Sequence, residues 1–510
     1  MKDFFDKLIE SYDYFNTAYT ENGALSFRTT GNFLLDLQFA VSSLRSVHSS
    51  IIRKLFSAAY FENKLLAIKW LFFAADVREG MGERRLFRTC LKFIAETDPQ
   101  ICRALIPFVA EYTRWDNLFA LEDTPLYDDV CALIKEQLEK DLLALSEGKN
   151  CSLCAKWLPS VNTTSDETRN SAKLLINKLG YTAKEYRKKL SALRKYLDVV
   201  EVKMSDKRFG EIDYSTVPSR ANLLYRNAFL KNDEARRREF LDNLKNGKVK
   251  INSKVLFPHD IVSKYIVGYE QTPKEYDETL EQLWKNLPDY VQSDDSTICV
   301  IDGSGSMSMY IGKTNVTAWS VAAALGIYFS ERCSGQFKDR FITFSEHPQL
   351  VDMSNAKTLH DKIGIATSYD EVANTDIVGV FDLILKTAID HKLKQEDLPT
   401  NVLIISDMEF DECAYDANYR SFDKKLFEVI AKKYEKHGYD LPRLVFWNVN
   451  SRTLAIPVQK NKLGVILVSG FSPTVLQMVF TNELDPLKAL IKIINTARYE
   501  PIENAVKELV

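Results

Sequence analysis

The stretch TICVIDGSGSMSMY, residues 297–310, marks the point where the character of this chain changes. A short apolar run ends in Asp302, and Gly303, Ser304, Gly305 and Ser306 follow at once. Such a run, closed by a Gly/Ser turn, reads as a buried strand feeding a tight loop. The pattern recurs in RFITFS (340–345), NVLIISD (401–407), RLVFWNV (443–449) and GVILVSG (464–470). Helical patterns such as VTAWSVAAALGIYFSERC and IVGVFDLILKTAIDHK lie between these runs. Strands alternating with helices predict a doubly wound α/β fold, a parallel sheet covered on both faces. Ligands of such sheets bind beyond the carboxyl ends of the strands, where Asp302, Asp407 and Ser469 fall.

Upstream, from about residue 30 to 290, the chain reads as helix after helix. VCALIKEQLEKDLLAL sets Val130, Leu133, Ile134, Leu138, Leu142 and Leu145 on one helical stripe. KLLAIKWLFFAADVREGMGERRLFRTCLKFIAE reads as two helices around a turn at Gly80 to Gly82. Serial helices suggest a solenoid or bundle, although no fixed-period repeat is evident. At 510 residues the chain is too long for one core. The expected division is an all-α helical-repeat domain over 1–290 and an α/β domain over 291–510.

A net charge of −3 excludes a polyelectrolyte partner for nucleic acid, so any basic surface must be local. The eight cysteines are scattered and read as free thiols of a reducing compartment. The opening MKDFFDKLIESYDYF lacks the layout of a signal peptide. No apolar run approaches the roughly 18 residues of a membrane span. These features predict a cytoplasmic protein with no membrane partner.

The corner after Asp302 fails several tests. Gly-x-Ser-x-Gly is absent, and no Lys makes a Walker loop. An aspartyl phosphatase would carry a second Asp where Ser304 stands. A hard cation with oxygen ligands remains. Asp302, Ser304 and Ser306 recur at a spacing of two, and Thr375 and Asp407 stand at later loop positions. Hydroxyls are neutral, so an outside carboxylate could complete the shell. With no His or Lys in the three loops to act as acid or base, a metal-dependent phosphotransfer enzyme is disfavoured and no catalysis is expected.

Asp-x-Ser-x-Ser, a later Thr, then an Asp after a strand resembles the metal-ion-dependent adhesion site of von Willebrand factor A domains. That resemblance implies Mg²⁺ or Mn²⁺ on Ser304, Ser306 and Thr375, with Asp302 and Asp407 acting directly or through water. ADVREGMGERRLFR, YTRWDNLF, LCAKWLPSVNTTS, VPSRANLLYRNAF, IISDMEFDE, VFWNVN and VSGFSPTVL resemble a wider family, domain of unknown function 2828. It joins a helical domain to a C-terminal von Willebrand A domain. A looser resemblance, in domain order and the Gly-rich turn, is to the Ro and TROVE proteins, whose helical-repeat (HEAT-like) ring binds RNA. RNA binding is thereby implied by analogy alone.

Three further motifs have two readings each. CSLCAKW carries Cys151 and Cys154, but no second ligand pair follows at zinc spacing. REGMGERRLFR is either a phosphate or RNA contact or an internal ion-pair network between two helices. Residues 181–255 hold 19 Lys and Arg against 10 Asp and Glu. Within them Arg187, Lys188, Lys189, Arg194, Lys195, Lys203, Lys207 and Arg208 form either a nucleic-acid stripe or a solvated helix face. The expectation is a non-catalytic RNA-binding or ribonucleoprotein scaffold whose metal site recruits a protein partner through a carboxylate. A protein–protein adaptor without RNA is the alternative.

Overall fold

The structure, a computed structural model, describes residues 16–21, 25–266, 273–291, 296–345, 347–369, 377–409, 424–454, 456, 465–475 and 485–510. Its main sheet has six strands, β3 (Thr297–Asp302), β4 (Arg340–Phe344), β5 (Leu350–Asp352), β6 (Asn401–Ser406), β7 (Arg443–Asn448) and β8 (Ile466–Ser469). They lie in the order β5-β4-β3-β6-β7-β8, parallel except for the edge strand β5. The chain therefore runs outward from β3 to β5, then returns across β3 to β6 and continues to β8. The reversal lies between β3 and β6, where doubly wound sheets open their binding crevice.

The central strands β3 and β6 are buried along their length, as their Val- and Ile-rich runs require. One face carries Ile298, Val300, Phe344, Val402, Ile404 and Phe446 into a core with Val380, Phe381, Ile430 and Tyr434. Helix Ala318–Arg332 packs on the sheet through a run of small residues. At Gly326 an added Cβ would stand 2.4 Å from Ile301 Cδ1, so the helix lies closer there than alanine allows.

The chain divides into two compact units that do not follow the expected boundary at 290. The sheet unit comprises Met1–Glu62 with Leu256–Ile494, and the helical unit Asn63–Val255 with Asn495–Val510. In the sheet unit Asn448 Nδ2 donates to Phe39 O at 2.9 Å and Ser42 N to Ser469 Oγ at 3.3 Å. Trp284 Nε1 donates to Glu331 Oε2 at 2.8 Å. The first 290 residues are also not wholly helical. Strands β1 (Thr17–Tyr19) and β2 (Leu25–Phe27) form an antiparallel pair, and Phe27 bridges to Ile456. Three-residue strands are too short for alternation to register in sequence, and the Phe27 partner lies more than four hundred positions away.

In the helical unit, helix Lys64–Ala75 is buried on every side from Ala67 onward, and helix Arg84–Thr97 buries one face. Residues 495–510 are tied to them by buried charge. Lys69 Nζ donates to Asn495 Oδ1 at 2.6 Å and pairs with Glu503 Oε2 at 2.5 Å. Buried Asp76 accepts from Arg498 Nε at 2.9 Å. Among the described residues no helix is long and apolar enough to cross a membrane.

Candidate metal centre

Asp302 ends β3 and is buried. Its Oδ1 accepts from Ser304 N at 2.9 Å, which turns the loop back over the strand end. Its Oδ2 accepts from Ser406 Oγ, the last residue of the neighbouring β6, at 2.5 Å. Ser304 Oγ and Ser306 Oγ stand 3.1 Å apart, and the Ser306 hydroxyl is near enough to Asp407 to favour its charged form. Thus Asp302, Ser304, Ser306 and Asp407, far apart in sequence, meet at the sheet reversal. Thr375 lies outside the described residues.

Asp407 is held under electrostatic stress. It is 1% exposed; Oδ1 accepts from Glu409 N at 3.2 Å, while Oδ2 has no hydrogen-bond partner. The nearest cation, Arg452 Nη2, stays 3.7 Å from Oδ2, beyond hydrogen-bond reach. Burial, and then the neighbouring Asp302 charge, push the Asp407 carboxyl up to about 7. Two buried carboxylates side by side must share a proton or a cation. Met408, next in sequence, takes a left-handed φ of +63° that bends the chain just past the strand, and its N–H donates to Ser406 Oγ at 3.0 Å. A non-glycine residue held there stores strain, a frequent mark of a functional loop.

Three residues that sequence reasoning missed hold this corner. Glu409 is buried and accepts from Arg452 N at 2.7 Å, Thr453 N at 2.9 Å and Glu21 N at 2.8 Å. It thereby pins the 451–453 loop beside Asp407. Arg452 pairs with Glu21 Oε2 at 2.7 Å. Ser406 is the third. The only sequence signal was the run Ser406-Asp407-Met408-Glu409 itself, polar residues crowding one strand end.

The residues fit a hard divalent cation. The donors are all oxygens, one carboxyl oxygen lacks a partner, and the hydroxyls of Ser304 and Ser306 sit half-buried above the buried carboxylates. Among the described residues no three His, Cys, Asp or Glu cluster as a metal site, so a cation here depends on hydroxyl ligands. Exposed Met309, Tyr310 and Tyr369 lie on or beside the loops flanking the hydroxyls.

The basic stripe is divided by the structure. On helix Ala183–Tyr196 the core face is Tyr186, Leu190 and Leu193. Arg187, Lys188 and Lys195 are exposed away from it, as is Lys207 further on. Arg194 is not a surface cation: its fork donates to Ala155 O, Leu158 O and Ser160 Oγ at 2.8, 2.8 and 2.9 Å. Lys203 is engaged by Asp198 Oδ2 and Glu211 O, and Arg208 by Asp206 and Glu211. Lys189 lies 4.3 Å over the Tyr181 ring. A spacing near seven placed Arg194 in line with Arg187, but it stands beside the buried face, where nearby carbonyls take its donors.

Cys154 is buried, and burial pushes its thiol pKa up, as burial does more modestly for Cys151, so this pair is a poor thiolate source. In the Gly-rich turn, an added Cβ at Gly80 would meet Phe73 O at 1.9 Å. Arg78 donates to Glu111 O at 2.6 Å, and Arg88 pairs with Asp116 at 3.0 Å. Internal pairing accounts for these two arginines.

The crystal structure of Deinococcus radiodurans RO (RSR) protein is similar at 14% identity with a TM-score of 0.35, covering 86% of this chain and 92% of that one. That likeness is too loose to carry an argument. Residues 121–295 match the domain of unknown function DUF2828, and residues 296–499 match the domain of unknown function DUF7788. Uncharacterized protein L728 of Acanthamoeba polyphaga mimivirus is 30% identical over 96% of this chain and 89% of its own length. Similarity of that extent makes the two proteins members of one family: the chain belongs to the DUF2828 family, with a DUF7788 domain following.

Proposed function

We propose that the protein is a non-catalytic scaffold whose sheet unit, of von Willebrand A type, holds a divalent cation and uses it to dock a partner. The observation that carries this reading is the buried Asp407 oxygen without a donor, set beside Asp302 under two serine hydroxyls. Asp302, Ser304, Ser306 and Asp407 would hold Mg²⁺ or Mn²⁺, with Thr375 a further ligand. The cation would supply an electrophilic point able to accept a carboxylate. Ser406 and Glu409 orient the site: one fixes Asp302, the other holds the loop next to Asp407. Met309 and Tyr310 give an acidic partner segment an apolar rim to settle on.

The test is a melting titration of the full chain with Mg²⁺ and Mn²⁺. A ligand at about 100 times its Kd adds about 2.7 kcal/mol to the folded state. Wild type should shift upward, and Asp302→Ala should lose the shift while retaining far-UV helical signal. An equal shift in Asp302→Ala would end the assignment. Metal-dependent hydrolysis of a phosphate ester that Asp302→Ala abolishes would replace docking with catalysis.

The reading extends to RNA on the helical unit. Exposed Arg187, Lys188, Lys195 and Lys207 make no ion pair among the described residues, on a chain that is acidic overall. Such a local excess attracts phosphate by long-range field.

A further inference from the structure

Arg452 stands between two carboxylates and is paired with the more exposed one. Its Nη2 lies 2.7 Å from Glu21 Oε2 and 3.7 Å from Asp407 Oδ2. The Glu21 side chain is 54% exposed and that of Asp407 1%. Opposite charges attract more strongly where water is excluded, and a buried charge without a partner is costly. The guanidinium would therefore relieve the corner more at Asp407 than at Glu21. A shift of about 1 Å would bring Nη2 to ordinary hydrogen-bond distance from Oδ2. It stays back, and Asp407 Oδ2 is left without a donor. Arg452 Nε, also buried, is left without an acceptor.

The surrounding backbone holds this arrangement in place. Glu409 accepts from Arg452 N at 2.7 Å and from Thr453 N at 2.9 Å, which fixes the loop that carries Arg452. The same carboxylate accepts from Glu21 N at 2.8 Å and so sets Glu21 beside that loop. Glu21 follows β1, whose partner β2 is braced in turn: Phe27 and Ile456 exchange two backbone hydrogen bonds of 2.9 Å. Asp302, by contrast, has both oxygens engaged, by Ser304 N and by Ser406 Oγ. Asp407 Oδ2 is the oxygen that the corner keeps open.

We infer that Arg452 is a built-in competitor for Asp407, and that Glu21 is the positioning residue that holds it off and keeps this oxygen open for a divalent cation. The inference rests on the metal reading proposed for this corner and adds what controls access to it. A cation and a guanidinium cannot share Asp407 Oδ2, because both are positive and both need the same lone pairs. With Glu21 in place, Arg452 is neutralised by a carboxylate that is no part of the ligand set. Without it, Asp407 is the acceptor within reach, and the guanidinium closes the site. Glu21 acts on the cation through Arg452 and touches no ligand.

The experiment titrates the full chain with Mn²⁺ at fixed pH and ionic strength, following free Mn²⁺ by electron paramagnetic resonance. It compares wild type, Glu21→Gln, Arg452→Gln and the double variant. Glu21→Gln keeps the backbone N–H that Glu409 accepts, so the loop stays braced. It should raise the Kd about tenfold, within the usual range of coupling between two sites. Arg452→Gln should bind at least as tightly as wild type. The double variant should bind like Arg452→Gln, because no arginine is left for Glu21 to hold back. Loss of a nearby negative charge, or a disturbed strand pair, would instead weaken binding by the same factor with or without Arg452. Should Glu21→Gln fold poorly, Glu21→Asp, which retracts the carboxylate by one methylene, gives the same comparison. Equal weakening in both backgrounds, or an unchanged Kd in the Glu21 variants, overturns the inference and leaves the metal site standing. Weaker binding by Arg452→Gln overturns it as well. No Mn²⁺ binding by wild type ends the metal reading itself, and this inference with it.

Discussion

Asp407 shows what one residue can report. Its folded pKa of about 7 stands above the ordinary 3.8, so the folded state holds the proton more tightly than the unfolded chain does. This group therefore contributes full stability below about pH 4, which is lost as pH rises through about 7. A divalent cation held here, as proposed, would compete with that proton. The Mg²⁺-induced rise in melting temperature should be small at pH 5.5 and largest at pH 8, read from melting curves across that range. Asp407→Asn should flatten the dependence and, without divalent cation at pH 8, melt at or above wild type, because repulsion with Asp302 is gone. A Mg²⁺ shift independent of pH would disconnect the metal from these carboxylates. Gly80 gives a steric counterpart. A Cβ there meets a backbone carbonyl at 1.9 Å, whereas at Gly326 it meets the movable end of Ile301 at 2.4 Å. Gly80→Ala should cost more than Gly326→Ala, beyond the ~1–3 kcal/mol of ordinary overpacking. Chemical denaturation of both variants checks the order.

At the scale of elements, helix Ala183–Tyr196 has a core face and an exposed basic face. Tyr186, Leu190 and Leu193 attach it to the core, and Arg194 locks its end to the 155–160 segment. Arg194→Ala would leave three acceptors without their donors, a loss of about 2–5 kcal/mol. Reversing Arg187, Lys188, Lys195 and Lys207 to Glu should leave melting nearly unchanged. That variant should bind RNA more than about tenfold more weakly, and wild-type affinity should fall with salt by roughly 0.7 log units per phosphate contact. RNA binding that ignores salt, or that survives the reversal, would favour the adaptor reading. The end of the chain is an element of the same unit. Deleting 495–510 leaves buried Lys69 and Asp76 without Glu503 and Arg498, and a buried charge that loses its partner typically costs about 3–5 kcal/mol. The truncated protein should lose its helical unit first, visible as early hydrogen exchange over residues 64–75.

For the whole molecule, the two units are discontinuous, so cutting at residue 290 separates neither cleanly. A fragment 1–290 would carry 16–62 and 256–290 away from the sheet they pack on and would lack 495–510. It should be poorly folded by circular dichroism, whereas 63–255 joined to 495–510 keeps one unit's contacts. The sequence by itself determined the strands: the runs at 297, 340, 401, 443 and 464 are the parallel strands within two residues at each end. Buried parallel strands must be continuous apolar runs, and helices between them must be amphipathic, so local pattern suffices. It also named Asp302, Ser304, Ser306 and Asp407, because strand ends are where chemistry collects in such a sheet. Tertiary structure alone decided the rest. Glu409, Arg452 and Glu21 became site residues through bonds spanning hundreds of positions, and Arg194 left the basic stripe because three carbonyls reached it. Short strands, long-range ion pairs and unit membership leave no periodic trace in sequence, since they depend on which surfaces meet and not on the order of residues within any one segment.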